Sequence, residues 1–137
     1  MKYVLDTNIV SAWMQGAEPL LARLVTCSPA SLGMPGPVLG ELEYGLQRLP
    51  RSHRRTALAH KLSAICQMVT PVEWTQAVSR HFGSIKAALE SRGHRLEDFD
   101  VANAAHARAH NATLVTRNLK QLGRVPELDL EDWLQSH

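Results

Sequence analysis

Short apolar runs alternate with amphipathic helical stretches along this chain, and no other feature narrows the fold as much. Residues 2–6 carry Tyr3-Val4-Leu5, a buried-strand run ending in Asp6-Thr7-Asn8. Small polar residues of that kind start helices, and Ile9 to Trp13 continues as one. A break at Gly16 precedes a second helix from about Glu18 to Thr26, with Pro19 in its first turn. Ser31 to Met34 is a weak second strand, and Pro35-Gly36-Pro37 punctuates it. A helix is expected from Val38 to Arg48, since Leu39, Leu42, Leu46 and Leu49 recur at helical spacing. Pro50 separates it from a helix spanning Ser52 to Cys66. Met68 to Val72 reads as a strand, Trp74 to Ser91 as a long helix ended by Gly93, and Asp100 to His110 as another helix. Ala112 to Thr116 is the clearest later strand, with a final short one near Leu128 to Leu130. Strands that alternate with helices pair in parallel and take helices on both faces. At 137 residues and 45% hydrophobic content, the chain fits one α/β domain, 1–137, with a full core.

In open α/β sheets, ligand sites form outside the carboxyl ends of the strands. Asp6 stands at the end of the first strand, and Thr116-Arg117-Asn118 at the end of a later one. Glu41 and Asp100, each near the start of a helical stretch, can complete a site there. Asp6 can equally serve as a helix cap; Glu43 competes with Glu41, and Asp98 with Asp100, although Asp98 reads better as an exposed cap. Gly40 and Gly45 flank the Glu41 segment and are expected to admit close backbone approach. Converging carboxylates repel and raise one another's pKa unless a cation lies between them. Hard oxygen ligands suit Mg²⁺ or Mn²⁺, so the set points to a metal-dependent phosphoryl-transfer site.

The net charge of +2 says little, but its distribution says more. From Gly45 to Val72 there is no acidic residue, yet Arg48, Arg51, Arg54, Arg55 and Lys61 are present. Such a stripe suits a phosphate backbone or an acidic partner, or is simply a solvated helix face. Cys27 and Cys66 form no framework and read as buried free thiols, as in a reducing cytoplasm. No charged leader followed by an apolar stretch opens the chain, so no signal peptide is expected, and no apolar run approaches a membrane span. His106 and His110 have the spacing of a zinc half-site but lack the intervening catalytic Glu and a third ligand. Trp13, Trp74 and Trp133 read as core or interface anchors.

The chain resembles PIN-domain proteins, and more specifically the VapC-type toxins of bacterial toxin–antitoxin pairs. The resemblance runs through Met1 to Ile9, Gly40 to Gly45, Phe99 to Ala107, Leu114 to Asn118, Arg124 to Leu128 and Glu131 to Trp133, in the family's order and spacing. It implies a three-layer α/β/α sandwich with a mainly parallel sheet. It also implies an endoribonuclease that hydrolyses RNA with Mg²⁺ or Mn²⁺ held by Asp6, Glu41 and Asp100. Thr7 and Asn8 are expected to orient carboxylates around the site, and Thr116 and Asn118 match the family's polar residues beside it. A VapB-like antitoxin and a homodimer are implied as partners. Arg48, Arg51, Arg54, Arg55 and Arg117 are candidates for contact with RNA or antitoxin. The chain departs from the family at Leu119-Lys120-Gln121-Leu122, where a further acid often stands. Weak activity, a second cation recruited by the substrate, a binding module without catalysis, or a DNA-directed nuclease are the readings this departure and the shared metal chemistry leave open.

Overall fold

Three residues, Tyr3–Leu5, form the central strand β1, and every other strand is placed relative to it. The structure is a computed structural model that describes residues 1–135. After β1 come α1 (Thr7–Met14), α2 (Glu18–Leu24), a 3₁₀ turn (Pro29–Ser31), β2 (Leu32–Pro35), α3 (Gly36–Arg48) and α4 (His53–Met68). Then follow β3 (Thr70–Val72), α5 (Gln76–Ser91), α6 (Asp98–Ala109), β4 (Thr113–Val115), α7 (Leu119–Leu122) and β5 (Leu130–Glu131). The strand order is β3-β2-β1-β4-β5, and all four pairings are parallel.

The period-two alternation of the strands divides the core into two layers. Leu5 and Val115 face the side covered by α1, α2, α3 and α4, where they meet Ile9, Val10, Leu20, Val38, Leu42 and Leu62. Their neighbours Val4 and Leu114 face the other side, with Val78, Ile85, Leu89, Ala104, Ala105 and Leu122 from α5, α6 and α7. This is the expected α/β/α sandwich. Alanine dominates the buried face of α6 because that helix packs closely against both α5 and the sheet.

Several boundaries differ from the sequence reading. Pro35-Gly36-Pro37 does not separate β2 from α3: β2 runs to Pro35 and α3 begins at Gly36. A proline in the first turn of a helix forfeits no hydrogen bond, so Pro37 starts α3 instead of delaying it. Met68 ends α4 and does not belong to β3. Helix α6 begins at Asp98, two residues before the expected start, which sets Asp100 inside its first turn. Helix α7 falls in a stretch to which the sequence assigned no element. Gly40 and Gly45 face open space, with nothing near enough to need a glycine there. Cys27 and Cys66 are free as expected but only half-buried.

Candidate active site

Strand order reverses at β1: β2 and β3 build outward on one side, while β4 and β5 lie on the other. The crevice at such a switch point is where α/β sheets place ligands. Leu5 pairs with Val115, so Asp6 and Thr116 emerge side by side from the carboxyl ends of β1 and β4. The Asp6 N–H donates to Val115 O at 2.9 Å, continuing the ladder by one residue. Beyond it the chain turns into α1, and Asp6 serves as the N-cap.

The Asp6 carboxylate is 3% exposed and takes three donors. Oδ1 accepts from the Thr7 N–H at 3.0 Å and from Asn103 Nδ2 at 2.7 Å. Oδ2 accepts from Thr116 Oγ1 at 2.8 Å. The capping carboxylate thus also ties β1, α1, α6 and the end of β4 together. Thr7 extends the network to α3, its Oγ1 donating to Glu41 Oε1 at 2.7 Å. Glu43, two residues on, is turned to a different face, beside Cys66, whose thiol is pushed up first by burial and then by the charge of Glu43. The structure thus separates the two glutamates by the neighbour each one meets.

Asp100 completes the group. Its carboxyl is pushed up to about 6, first by burial, then by the charges of Asp6 and Glu41, and finally by Glu97. A carboxylate in the first turn of a helix is normally favoured by the helix dipole, by about 0.3–1 kcal/mol. Burial and three like charges outweigh that here. Asp98 is not part of this group: it is exposed and pairs with Lys86 Nζ at 2.9 Å.

No lysine or arginine hydrogen-bonds Asp6, Glu41 or Asp100 among the described residues. Nor, among those residues, do any three Asp, Glu, His or Cys side chains stand close enough to hold a metal ion as they are. The two observations are compatible. The charges of Asp6 and Glu41 are near enough to raise the proton affinity of Asp100, yet the three side chains do not stand close enough for all of them to bind one ion directly. Mg²⁺ sheds water reluctantly and is commonly held through one or two carboxylates with waters completing its shell. An all-oxygen donor set of this spacing fits such a hydrated divalent ion.

The flanking polar residues fall around the same crevice. Asn8 Oδ1 accepts from the Arg117 N–H at 3.1 Å, latching the loop after β4 to α1. The Asn118 N–H donates to Thr116 Oγ1 at 3.1 Å, and its Nδ2 to Gln121 Oε1 at 2.8 Å. The Arg117 side chain is exposed. The basic stretch lies elsewhere, on the last turn of α3 and on α4. Arg48 sits over the Tyr44 ring at 5.5 Å, and Arg54 borders a cleft with Ser11 of α1 and Gln15 at that helix's C-cap. Arg51 is exposed, whereas Arg55 is bound to Leu49 O at 3.3 Å and Gln47 Oε1 at 3.1 Å.

Two participants escaped the sequence reading. Asn103 is wholly buried and donates to Asp6, and Glu97 bears on Asp100 from the N-cap of α6. The available signal was the three-residue spacing from Asp100 to Asn103, which puts both on one helix face. His106 and His110 form no metal pair. His106 is fully buried with Nδ1 2.7 Å from Ala102 O and Trp74 packed edge-on at 5.4 Å, while His110 is exposed.

The chain matches the model of the PIN domain family over residues 3–128. It is 31% identical over 141 residues to Ribonuclease VapC2 of Rickettsia felis, an alignment that covers 97% of this chain and 98% of that protein. To the tRNA(fMet)-specific endonuclease VapC of Shigella flexneri it is 26% identical, covering 97% and 98% of the two chains. Among solved structures, VapBC2 from Rickettsia felis bound to a promoter DNA fragment superposes with a TM-score of 0.86 at 29% identity, covering 97% and 99%. VapBC-1 from nontypeable Haemophilus influenzae superposes with a TM-score of 0.83 at 25% identity, covering 98% and 100%. A carboxylate crevice at the β1/β4 switch point, a parallel α/β/α sandwich and end-to-end likeness to these proteins agree: the chain belongs to the PIN-domain family and, within it, to the VapC-type toxins.

Proposed function

We propose that this protein is the endoribonuclease toxin of a toxin–antitoxin pair and hydrolyses RNA phosphodiesters with Mg²⁺ or Mn²⁺. The observation that carries the reading is the convergence of Asp6, Glu41 and Asp100 from three separate elements, with the Asp100 carboxyl pushed up to about 6 and, among the described residues, no lysine or arginine bonded to any of the three. Relatives named as ribonucleases and as a tRNA(fMet)-specific endonuclease support the substrate class. A divalent ion held by Asp6, Glu41 and Asp100, directly or through waters, would supply water activation near neutral pH and would offset charge growing on the phosphate. The protein's own contribution is positional. Asn103, the Thr7 N–H and Thr116 fix the Asp6 carboxylate in one orientation, and Thr7 Oγ1 fixes Glu41. Asp100, half-buried, carries a carboxyl that burial and the charges of Asp6 and Glu41 push up to about 6, and a cation held beside it would favour its ionised form. Asn8 and Asn118 hold the loop after β4, which carries Arg117 to the rim as a phosphate contact.

A VapB-like antitoxin is the proposed inhibitor, supported by the solved VapBC assemblies that this chain resembles. Arg48, Arg51, Arg54 and Arg117 are proposed to contact RNA or that partner; Arg55 is already bound within the chain. A homodimer built on the helices before residue 66 and a cytoplasmic location complete the proposal. Among the described residues no helix is long and apolar enough to cross a membrane. Incubation of the purified protein with total cellular RNA and Mn²⁺ or Mg²⁺, beside EDTA and Asp6→Ala controls, tests it. Discrete fragments that vanish in both controls are expected. A folded protein that cuts no RNA would point to a binding role, and one that cuts only DNA would replace the substrate.

A further inference from the structure

Asn103 is fully buried, and only one end of its side-chain amide has a partner. Nδ2 lies 2.7 Å from Asp6 Oδ1. The two ends of an amide are assigned by their surroundings, and here the assignment is firm because an ionised carboxylate only accepts. The NH₂ must face Asp6, which commits the carbonyl oxygen Oδ1 to the other side. Among the described residues no donor reaches that oxygen. Helical side chains three residues apart share a face and lean toward the helix N-terminus. The Asn103 amide therefore leans over the turn that carries Asp100.

A buried carbonyl oxygen without a donor is costly, and native proteins seldom keep one without a reason. The rest of this face of α6 is valine and alanine, apart from His106. Holding Asp6 in place accounts for Nδ2 but leaves Oδ1 unexplained. The missing partner has to be a donor, small enough to sit beside Asp6 and Asp100. A water in the coordination shell of a hydrated divalent ion meets each of those conditions. A neutral oxygen also adds no further negative charge to a site where three carboxylates already oppose one another.

We propose that Asn103 is a positioning residue of the cation site, its Nδ2 fixing Asp6 and its Oδ1 accepting a hydrogen bond from a water of the ion's shell. The proposal rests on the metal-dependent reading above, and the experiment separates the two. Mn²⁺ alone is titrated calorimetrically at pH 8 into the cation-free full chain, without RNA. Wild type is compared with Asp100→Asn, Asn103→Leu and Asn103→Asp, each first checked for cooperative melting. Leucine fills the buried volume without polar atoms, and aspartate keeps an oxygen toward the water but loses the donor to Asp6. Wild type is expected to bind and Asp100→Asn to bind far more weakly. Asn103→Leu is expected to lose about tenfold or more in affinity, as for other outer-shell partners, and Asn103→Asp to bind at least as tightly as wild type. If wild type does not bind, or Asp100→Asn binds as well, the cation reading fails and this proposal with it. If those two behave as expected but Asn103→Leu binds within twofold of wild type, only the Asn103 proposal falls. A loss in Asn103→Asp as large as in Asn103→Leu overturns the water contact and leaves only the orientation of Asp6. Should the leucine variant not fold, the aspartate variant decides alone: retained affinity supports the proposal and a tenfold loss overturns it.

Discussion

Asp100→Asn should make the cation-free protein more stable, although it removes a residue proposed for the chemistry. The Asp100 carboxyl is raised from 3.8 to about 6 in the fold. At about 1.36 kcal/mol per unit, a rise of roughly two units corresponds to a ceiling near 3 kcal/mol of strain in the ionised form. Asp100 is only half-buried, and solvent screening reduces this to about 1–1.5 kcal/mol. The folded carboxyl binds its proton more tightly than the unfolded one, so wild-type stability declines as pH rises from about 4 to about 6. An asparagine keeps the shape and cannot ionise. In EDTA at pH 8, the variant should melt about 3–6 °C above wild type, a gap that closes near pH 4, where the wild-type carboxyl is protonated. Adding Mg²⁺ should reverse the order: wild type gains about 2.7 kcal/mol when the ion is at a hundred times its Kd, and the variant gains little. Differential scanning calorimetry at the two pH values, with and without Mg²⁺, checks all three statements. A variant less stable than wild type in EDTA at pH 8, or a gap unchanged at pH 4, would refute the claim that like-charge repulsion and burial dominate this site.

Further outcomes follow from the same structure. Burial and neighbouring arginines keep His81 below its usual pKa, and burial does the same for His106. Both fold as neutral rings, so stability should hold above the unfolded value near 6.5 and fall as pH drops below it, and His81→Gln should flatten part of that slope in pH-dependent urea unfolding. Thr116→Val, which removes the donor at 2.8 Å from Asp6 Oδ2, should cost about 1 kcal/mol and weaken Mn²⁺ binding in the same sample. Gly33→Ala should destabilise by about 1–3 kcal/mol in chemical denaturation, because its Cβ would stand 2.8 Å from Val72 Cγ2 on the neighbouring strand. Glu131→Ala removes both the partner of Arg23 at 2.9 Å and the acceptor of the Trp133 indole at 2.9 Å. Because the ion pair is exposed, the expected loss in thermal stability is only about 1 kcal/mol, and Glu131→Gln should recover most of it.

The parallel sandwich was legible because its signal is periodic. Val4 and Leu5 point to opposite core layers, and α3 carries Leu42 and Leu46 at helical spacing. What failed were places where one residue type has two meanings. Pro35-Gly36-Pro37 reads as a break, yet a proline inside the first helical turn costs nothing. Gly40 and Gly45 read as points of close approach and face open space. Helix α7 has four residues, too few to show a period. Within the site, Asp6 and Thr116 were readable as strand ends, but the pairing that joins them spans 110 positions. Glu41 and Glu43 cannot be ranked without knowing that Thr7 sits beside one of them. Asn103 was silent because its partner is 97 residues away and its neighbours are apolar.

The rims of the sheet bear on how the protein keeps company. On one side the outermost strand, β3, is three residues long with Pro71 in its middle, a residue that brings no N–H. On the other, β5 has only two residues, and its Glu131 side chain is engaged by Arg23 and Trp133. Among the described residues, neither rim offers a long run of free donors and acceptors on which another chain can extend the ladder. Copies of the protein are thereby hindered from zipping together edge to edge while crowded or freshly made. A peptide partner would meet helices and side chains here, not an open strand on which to add itself as a sixth.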